Sequence, residues 1–156
     1  MIMIRRAVPQ DAEQIESLYE QLERDAVTYQ PQHFVISPAG ARSEQLLSMI
    51  GSETQTMFAA EEDGEVVGFA HVALHMAKAF SCLKPQSNIY LQDLVVAPEY
   101  RGKGIGTLLL NAAKEYGREN GAEFFRTQVF PMNADGLRFY RRNGFEVTML
   151  TIECPL

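Results

Sequence analysis

The sequence predicts an α/β protein of mixed (α+β) character: a central mixed sheet covered by helices, in the order β-α-α-β-β-β-α-β-α-β. Three observations carry this reading. Apolar residues recur at helical spacing in some segments and crowd into β-like runs in others. Asp63-Gly64 sits between two such runs, as a two-residue hairpin turn does. A β-like run over 88–97 passes through a glycine-rich turn into an amphipathic segment and then a further strand, the pattern of a parallel crossover.

Taken in order, residues 1–8 read as a short strand. A helix starts near Pro9, with Asp11 and Gln14 spaced as a capping box, and carries Ile15, Leu18, Tyr19, Leu22 and Ala26 on one face. Residues 27–38 hold two prolines and no period, hence a loop; a second helix spans 39–51 around Leu46, Leu47 and Ile50. The hairpin strands cover 57–61 and 65–74, and a less regular segment, 77–88, leads to the strand at 88–97. Residues 104–120 form a helix with Ile105, Leu108, Leu109, Ala112, Ala113 and Tyr116 as its apolar stripe, stopped at Asn120-Gly121. A strand (124–130), a short helix (133–142) and a last strand (144–152) complete the chain. With no internal repeat or linker, residues 1–156 make one domain.

Composition narrows the function. A net charge of −6 disfavours nucleic acid and anionic membrane as partners. The most apolar stretch, 66–80, is broken by Gly68, His71, His75 and Lys78 and falls short of a bilayer span of about 20 residues. Arg5 and Arg6 follow only four apolar residues, so no signal peptide is legible. Cys82 and Cys154 have no ligand-like spacing. A cytoplasmic protein with reduced thiols is expected.

The chemistry-bearing stretch is the glycine-rich turn. Gly102, Gly104 and Gly106 remove side chains where a helix start leaves N–H groups unpaired, and Arg101 and Lys103 add positive charge beside them. That makes an anion receptor suited to a phosphate or diphosphate. A Rossmann fingerprint would need glycine at position 107, where Thr107 stands, and a P-loop would need Ser or Thr after Lys103, where Gly104 stands. A bland alternative is a tight turn before a helix.

Arg101-Gly102-Lys103-Gly104-Ile105-Gly106 closely resembles the [RQ]-x-x-G-x-[GA] signature of the GNAT superfamily of acyl-CoA-dependent N-acetyltransferases. The preceding D-L-V-V-A-P-E-Y is typical of that family's fourth strand. Asn133 to Tyr140 followed by Arg141-Arg142-Asn143-Gly144-Phe145 looks like its second motif. The resemblance implies a sheet splayed between strands 4 and 5, with acetyl-CoA in the cleft as cosubstrate and no metal. Arg101, Gly102, Lys103, Gly104, Ile105, Gly106 and Thr107 would hold the diphosphate. Backbone groups of Leu94, Val95 and Val96 would pair with the pantetheine arm, and Asn133 would bond that arm, cap the short helix, or do both. Tyr140 matches the position that protonates the departing thiolate. An amine acceptor, direct attack in a ternary complex and a homodimer are implied at family level. The alternative is a non-catalytic acyl-CoA-binding or sensing module.

The general base is open. Many relatives carry Glu on the fourth strand where Gln92 stands, and Asp93 beside it points to the opposite face of a regular strand. A water chain, Glu61, or a weakly basic acceptor are the alternatives. An alkylamine of pKa about 10.4 costs about 4.6 kcal/mol to neutralise at pH 7, an α-amine near 7.8 about 1 kcal/mol. His71 and His75 lie about 13 Å apart along a strand, too far for one metal. His33, with Tyr29 and Phe34, falls in the loop that the family layout sets near the acceptor pocket; a solvated loop histidine is the simpler reading. Glu61-Glu62-Asp63 reads as a solvated turn.

Overall fold

A computed structural model describes residues 1–156. Five strands form one sheet in sequence order: β1 (Met3–Arg6), β2 (Gln55–Glu62), β3 (Glu65–Ala77), β4 (Gln86–Val96) and β5 (Phe124–Arg126). β1 to β4 are antiparallel, and β5 joins β4 in parallel through the helical crossover. The helices are α1 (Ala12–Tyr29), α2 (Ser43–Ile50), α3 (Ile105–Glu119) and α4 (Ala134–Arg142). None is long and apolar enough to cross a membrane.

Strand alternation divides the buried side chains between two layers. Along β2, Met57 and Ala59 join Ile15, Tyr19, Leu46, Met49 and Phe69 beneath α1 and α2, while Phe58 and Ala60 join Leu109, Leu110, Ala113 and Tyr116 beneath α3. A sheet covered on both faces explains why β3 is an almost continuous buried run rather than an alternating one.

The expected order holds from β1 through α4 and then departs. Residues 146–156 are all exposed, and their backbone meets no backbone partner, so 144–152 is no strand in this chain. A strand exists only as a member of a ladder. Likewise β5 stops at Arg126 rather than 130. At the other end, the expected Asp11–Gln14 capping box is replaced by longer-range contacts. A 3-10 turn (Pro9–Asp11) precedes α1, and Gln14 Oε1 accepts the Val66 N–H at 2.9 Å instead.

Asp11 is only 4% exposed, and its carboxylate takes the Val8 N–H (2.8 Å) and two Arg5 guanidinium bonds (2.7 and 2.9 Å), tying β1 to the start of α1. Arg5, and next the Val8 amide, hold the Asp11 carboxyl below the usual carboxylate range. Its folded pKa therefore lies under its unfolded one. The stabilisation is present above about pH 4 and is lost as pH falls through the folded value. Asp11→Asn is expected to cost about 1.5–3 kcal/mol at neutral pH. Thermal melts should show the gap between variant and wild type closing in acid; a gap independent of pH would mean that the carboxylate charge is not what matters.

Candidate active site

β4 and β5 pair at only three positions, Asn88–Phe124, Ile89–Phe125 and Tyr90–Arg126. Beyond them the chains separate: the Thr127 hydroxyl donates to the Leu91 carbonyl at 2.9 Å, and no further ladder follows. A notch opens through the sheet along the second half of β4. Which β4 groups face it follows from the far side. Ala97 N–H donates to the Val67 carbonyl at 2.8 Å, in the same register as the Val95–Phe69 pair. Hydrogen-bonded and open pairs alternate in an antiparallel ladder, so Val95 is turned to β3, and Leu94 and Val96 present their N–H and C=O to the notch. Arg101 Nε already uses the Val96 carbonyl, at 3.0 Å.

At one mouth of the notch lies the glycine-rich turn. Gly102 and Gly104 have φ of 75° and 83°, and a Cβ on either would meet nothing within 4 Å. Left-handed backbone, not crowding, explains these two glycines. The turn aims consecutive amides outward: no backbone or side-chain acceptor inside the protein takes the N–H groups of Gly102, Lys103, Gly104, Ile105, Gly106 or Thr107. Gly106 differs, because a Cβ there would stand 3.0 Å from the Phe139 ring, so α3 and α4 touch at this point. Lys103 Nζ lies 5.1 Å from the centre of the Tyr100 ring.

α4 begins at Asn133, whose Oδ1 accepts the Gly136 N–H at 2.9 Å. The helix delivers Tyr140 into an aromatic cluster with Phe139 (5.2 Å between ring centres) and Phe145 (5.3 Å), the latter backed by Phe125. Burial there pushes the Tyr140 phenol up to about 12, with the Asp93 charge adding and the neighbouring Thr127 hydroxyl partly offsetting. The phenol is therefore protonated throughout the neutral range.

A bulge sets which face of the sheet Asp93 takes. His71 pairs with Asp93 and Val72 with Leu91, leaving Gln92 without a partner. One inserted residue exchanges the faces of everything after it: Leu91 packs beneath α3, but Val95 packs beneath α1 and α2. Gln92 is exposed. Asp93 is carried to the α1 side, where its Oδ2 accepts the Tyr19 hydroxyl (2.7 Å) and stands 3.5 Å from His71 Nδ1. His71 is 2% exposed, with Nε2 2.8 Å from Gln55 Oε1 and Nδ1 lacking any hydrogen bond. Burial, then the Asp93 charge, pushes the Tyr19 phenol up, so Tyr19 remains a donor.

Glu61 stands apart from this group of side chains. It lies on β2, two strands from the notch, and its Oε2 takes the Arg5 Nε at 2.7 Å. At the α1 end, the Tyr29 and Phe34 rings both pack on Phe130, at 5.7 and 5.8 Å. His33 is an exposed histidine of the loop after α1, with its Nε2 2.8 Å from Glu153 Oε2. Cys82 and Cys154 are exposed and unbridged. Sequence spacing missed Tyr19, Thr127, Phe130 and the Asp93–His71 pair. Only the bulge and contacts between distant segments bring them together.

Residues 15–145 match the model of the acetyltransferase (GNAT) family. The chain is 31% identical to the uncharacterized N-acetyltransferase YhfO of Bacillus subtilis (strain 168), over 92% of its own length and 89% of that protein. It is 35% identical to streptothricin acetyltransferase of Streptomyces lavendulae, over 60% of its own length but only 46% of that relative. Among solved structures it superposes on aminoglycoside N-acetyltransferase AAC(6')-Iy in complex with CoA with a TM-score of 0.79, at 22% identity, covering 100% of this chain and 95% of that one. The same enzyme has also been solved with a bisubstrate analogue, CoA-S-monomethyl-acetylneamine.

Proposed function

We propose that this chain, which belongs to the acetyltransferase (GNAT) family and is an acyltransferase, moves an acetyl group from acetyl-CoA to a primary amine of a small molecule or peptide, by direct attack in a ternary complex. The observation that carries the reading is the run of six unpaired amides from Gly102 to Thr107 at the start of α3. Acetyl-CoA, when bound, supplies the activated acyl group as a thioester. The six amides, the positive end of the α3 dipole and the Arg101 and Lys103 charges bind its diphosphate. The open N–H and C=O of Leu94 and the N–H of Val96 pair with the pantetheine arm like an added strand, and Val95 between them fixes the strand to β3. An N–H of that stretch polarises the thioester carbonyl, a contribution of about 2.7–4 kcal/mol for a well-aimed donor. Asn133 fixes the first turn of α4, and with it the approach of Tyr140.

The Tyr140 hydroxyl gives its proton to the sulfur as the carbon–sulfur bond breaks. On the opposite side of the sheet, Asp93 attracts the cationic acceptor and takes the ammonium proton, held in place by the Tyr19 hydroxyl. A negatively charged protein with this carboxylate at the notch suits a basic acceptor, as the aminoglycoside portion of the bisubstrate analogue is for AAC(6')-Iy.

Thiol release from acetyl-CoA across a panel of amines tests the whole reading: turnover with at least one amine is expected, and acetyl-CoA binding with no release for any amine would refute it. The proton acceptor has its own test. Asp93→Asn should lower kcat/KM by roughly 10²-fold or more for an alkylamine, and much less for an acceptor that is already neutral at the assay pH. An equal loss for both acceptors would reduce Asp93 to a structural partner of Tyr19.

A further inference from the structure

The β4 groups turned toward β5 follow one phase before the bulge and another after it. The Leu74 N–H donates to the Thr54 carbonyl, on the β2 side, so Leu74 and its β4 partner Ile89 do not bond each other, and Ile89 is turned to β5. Ser87 and Leu91 share that phase, and the Glu123 N–H donates to the Ser87 carbonyl. Two residues further along both parallel strands, Phe125 stands against Ile89. The next rung of the same kind would run from the Thr127 N–H to the Leu91 carbonyl. That rung is missing. No backbone acceptor takes the Thr127 N–H, and the carbonyl is held by the Thr127 hydroxyl instead, at 2.9 Å.

The exchange of amide for hydroxyl falls where it has the most effect. Leu91 is the last β4 residue before Gln92, the unpaired residue of the bulge, and past it the open positions are Leu94 and Val96. We infer that Thr127 is a positioning residue for the cosubstrate: its hydroxyl takes the Leu91 carbonyl in place of its own amide, ends the β4–β5 ladder there, and keeps β4 open for the thioester arm. A backbone rung would draw the two strands to the usual spacing of about 4.7–4.9 Å. A hydroxyl carried on Cβ satisfies the same carbonyl with a side chain interposed, so β5 leaves the sheet with no buried acceptor orphaned. Beyond Thr127 the chain diverges, and Phe130 meets the Tyr29 and Phe34 rings on the α1 side. The inference rests on the acyl-transfer reading for the identity of the guest, and on the ladder alone for the opening.

Hydrogen exchange read by NMR at single amides, with titration calorimetry against acetyl-CoA, tests it. In the wild type the Phe125 amide should be protected and the Thr127 amide open. Thr127→Val keeps the shape but removes the hydroxyl, so the amide of residue 127 should close the rung and exchange about 100-fold more slowly. The same variant should bind acetyl-CoA about tenfold more weakly, the equivalent of one hydrogen bond to the arm. Thr127→Ser restores the hydroxyl and should match the wild type in both measurements. A wild-type Thr127 amide as protected as that of Phe125 overturns the inference. So does a valine variant that binds acetyl-CoA like the wild type, one that binds weakly with residue 127 still open, or a serine variant as weak as the valine one. If the valine variant does not fold, wild-type exchange and the serine variant decide. A wild type that does not bind acetyl-CoA at all refutes the proposed function, while the exchange pattern still judges the role of Thr127 in the opening.

Discussion

Gly104→Glu should abolish acetyl-CoA binding while leaving the fold intact. The position has a φ of 83° and free space around an added Cβ, so the new side chain starts out without a clash. Two penalties apply. A left-handed non-glycine residue costs about 1–2 kcal/mol. A carboxylate about 4 Å from a phosphate charge adds about 4 kcal/mol at the effective dielectric of a protein surface. The first is present with and without the ligand and lowers stability; the second acts on binding and corresponds to roughly 10³-fold in affinity, at about 1.4 kcal/mol per factor of ten. Titration calorimetry with acetyl-CoA measures the loss, and a thermal melt separates it from unfolding. Gly104→Ala isolates the conformational part and should weaken binding far less. An unaltered affinity in the glutamate variant would move the diphosphate away from α3 altogether.

Tyr140→Phe should lower kcat by roughly 10²- to 10⁴-fold, the range for a positioned acid, and leave the affinity for acetyl-CoA nearly unchanged. Phenylalanine preserves the ring contacts with Phe139 and Phe145, so the cluster that shapes α4 persists. Only the hydroxyl proton disappears. Because burial has pushed that phenol up to about 12, the wild-type rate should show no loss attributable to its ionisation until strongly alkaline pH. Rates measured across pH for both proteins check this, with equal turnover in the variant removing Tyr140 from the chemistry.

Most of the framework was legible in the sequence because its signals are local. Helical apolar spacing marks α1 and α3, Asp63-Gly64 marks the β2–β3 hairpin, and the glycine spacing at 102–106 marks the start of α3. Asn133 reads as a cap and is one. The failures have a common physical origin in contacts between distant segments. Nothing in the composition of β4 announces that Gln92 is squeezed out of register, yet that one residue decides which face Asp93 serves. Asp11 has a local partner in Val8 but spends its remaining bonds on Arg5 in another element. The 144–152 segment has the pattern of a strand, but pairing is a property of two segments, and this chain provides no second.

The Gly106–Phe139 contact links two tasks that look separate. The ring occupies the volume a methyl would fill, so the turn proposed to hold the diphosphate and the helix that carries Tyr140 share one hinge pin. A methyl introduced there would pry α4 outward and shift the donor one residue along from Phe139. Under the proposed function, grip at one end of a long cosubstrate and acid delivery at the other would thus be coupled through a single missing carbon.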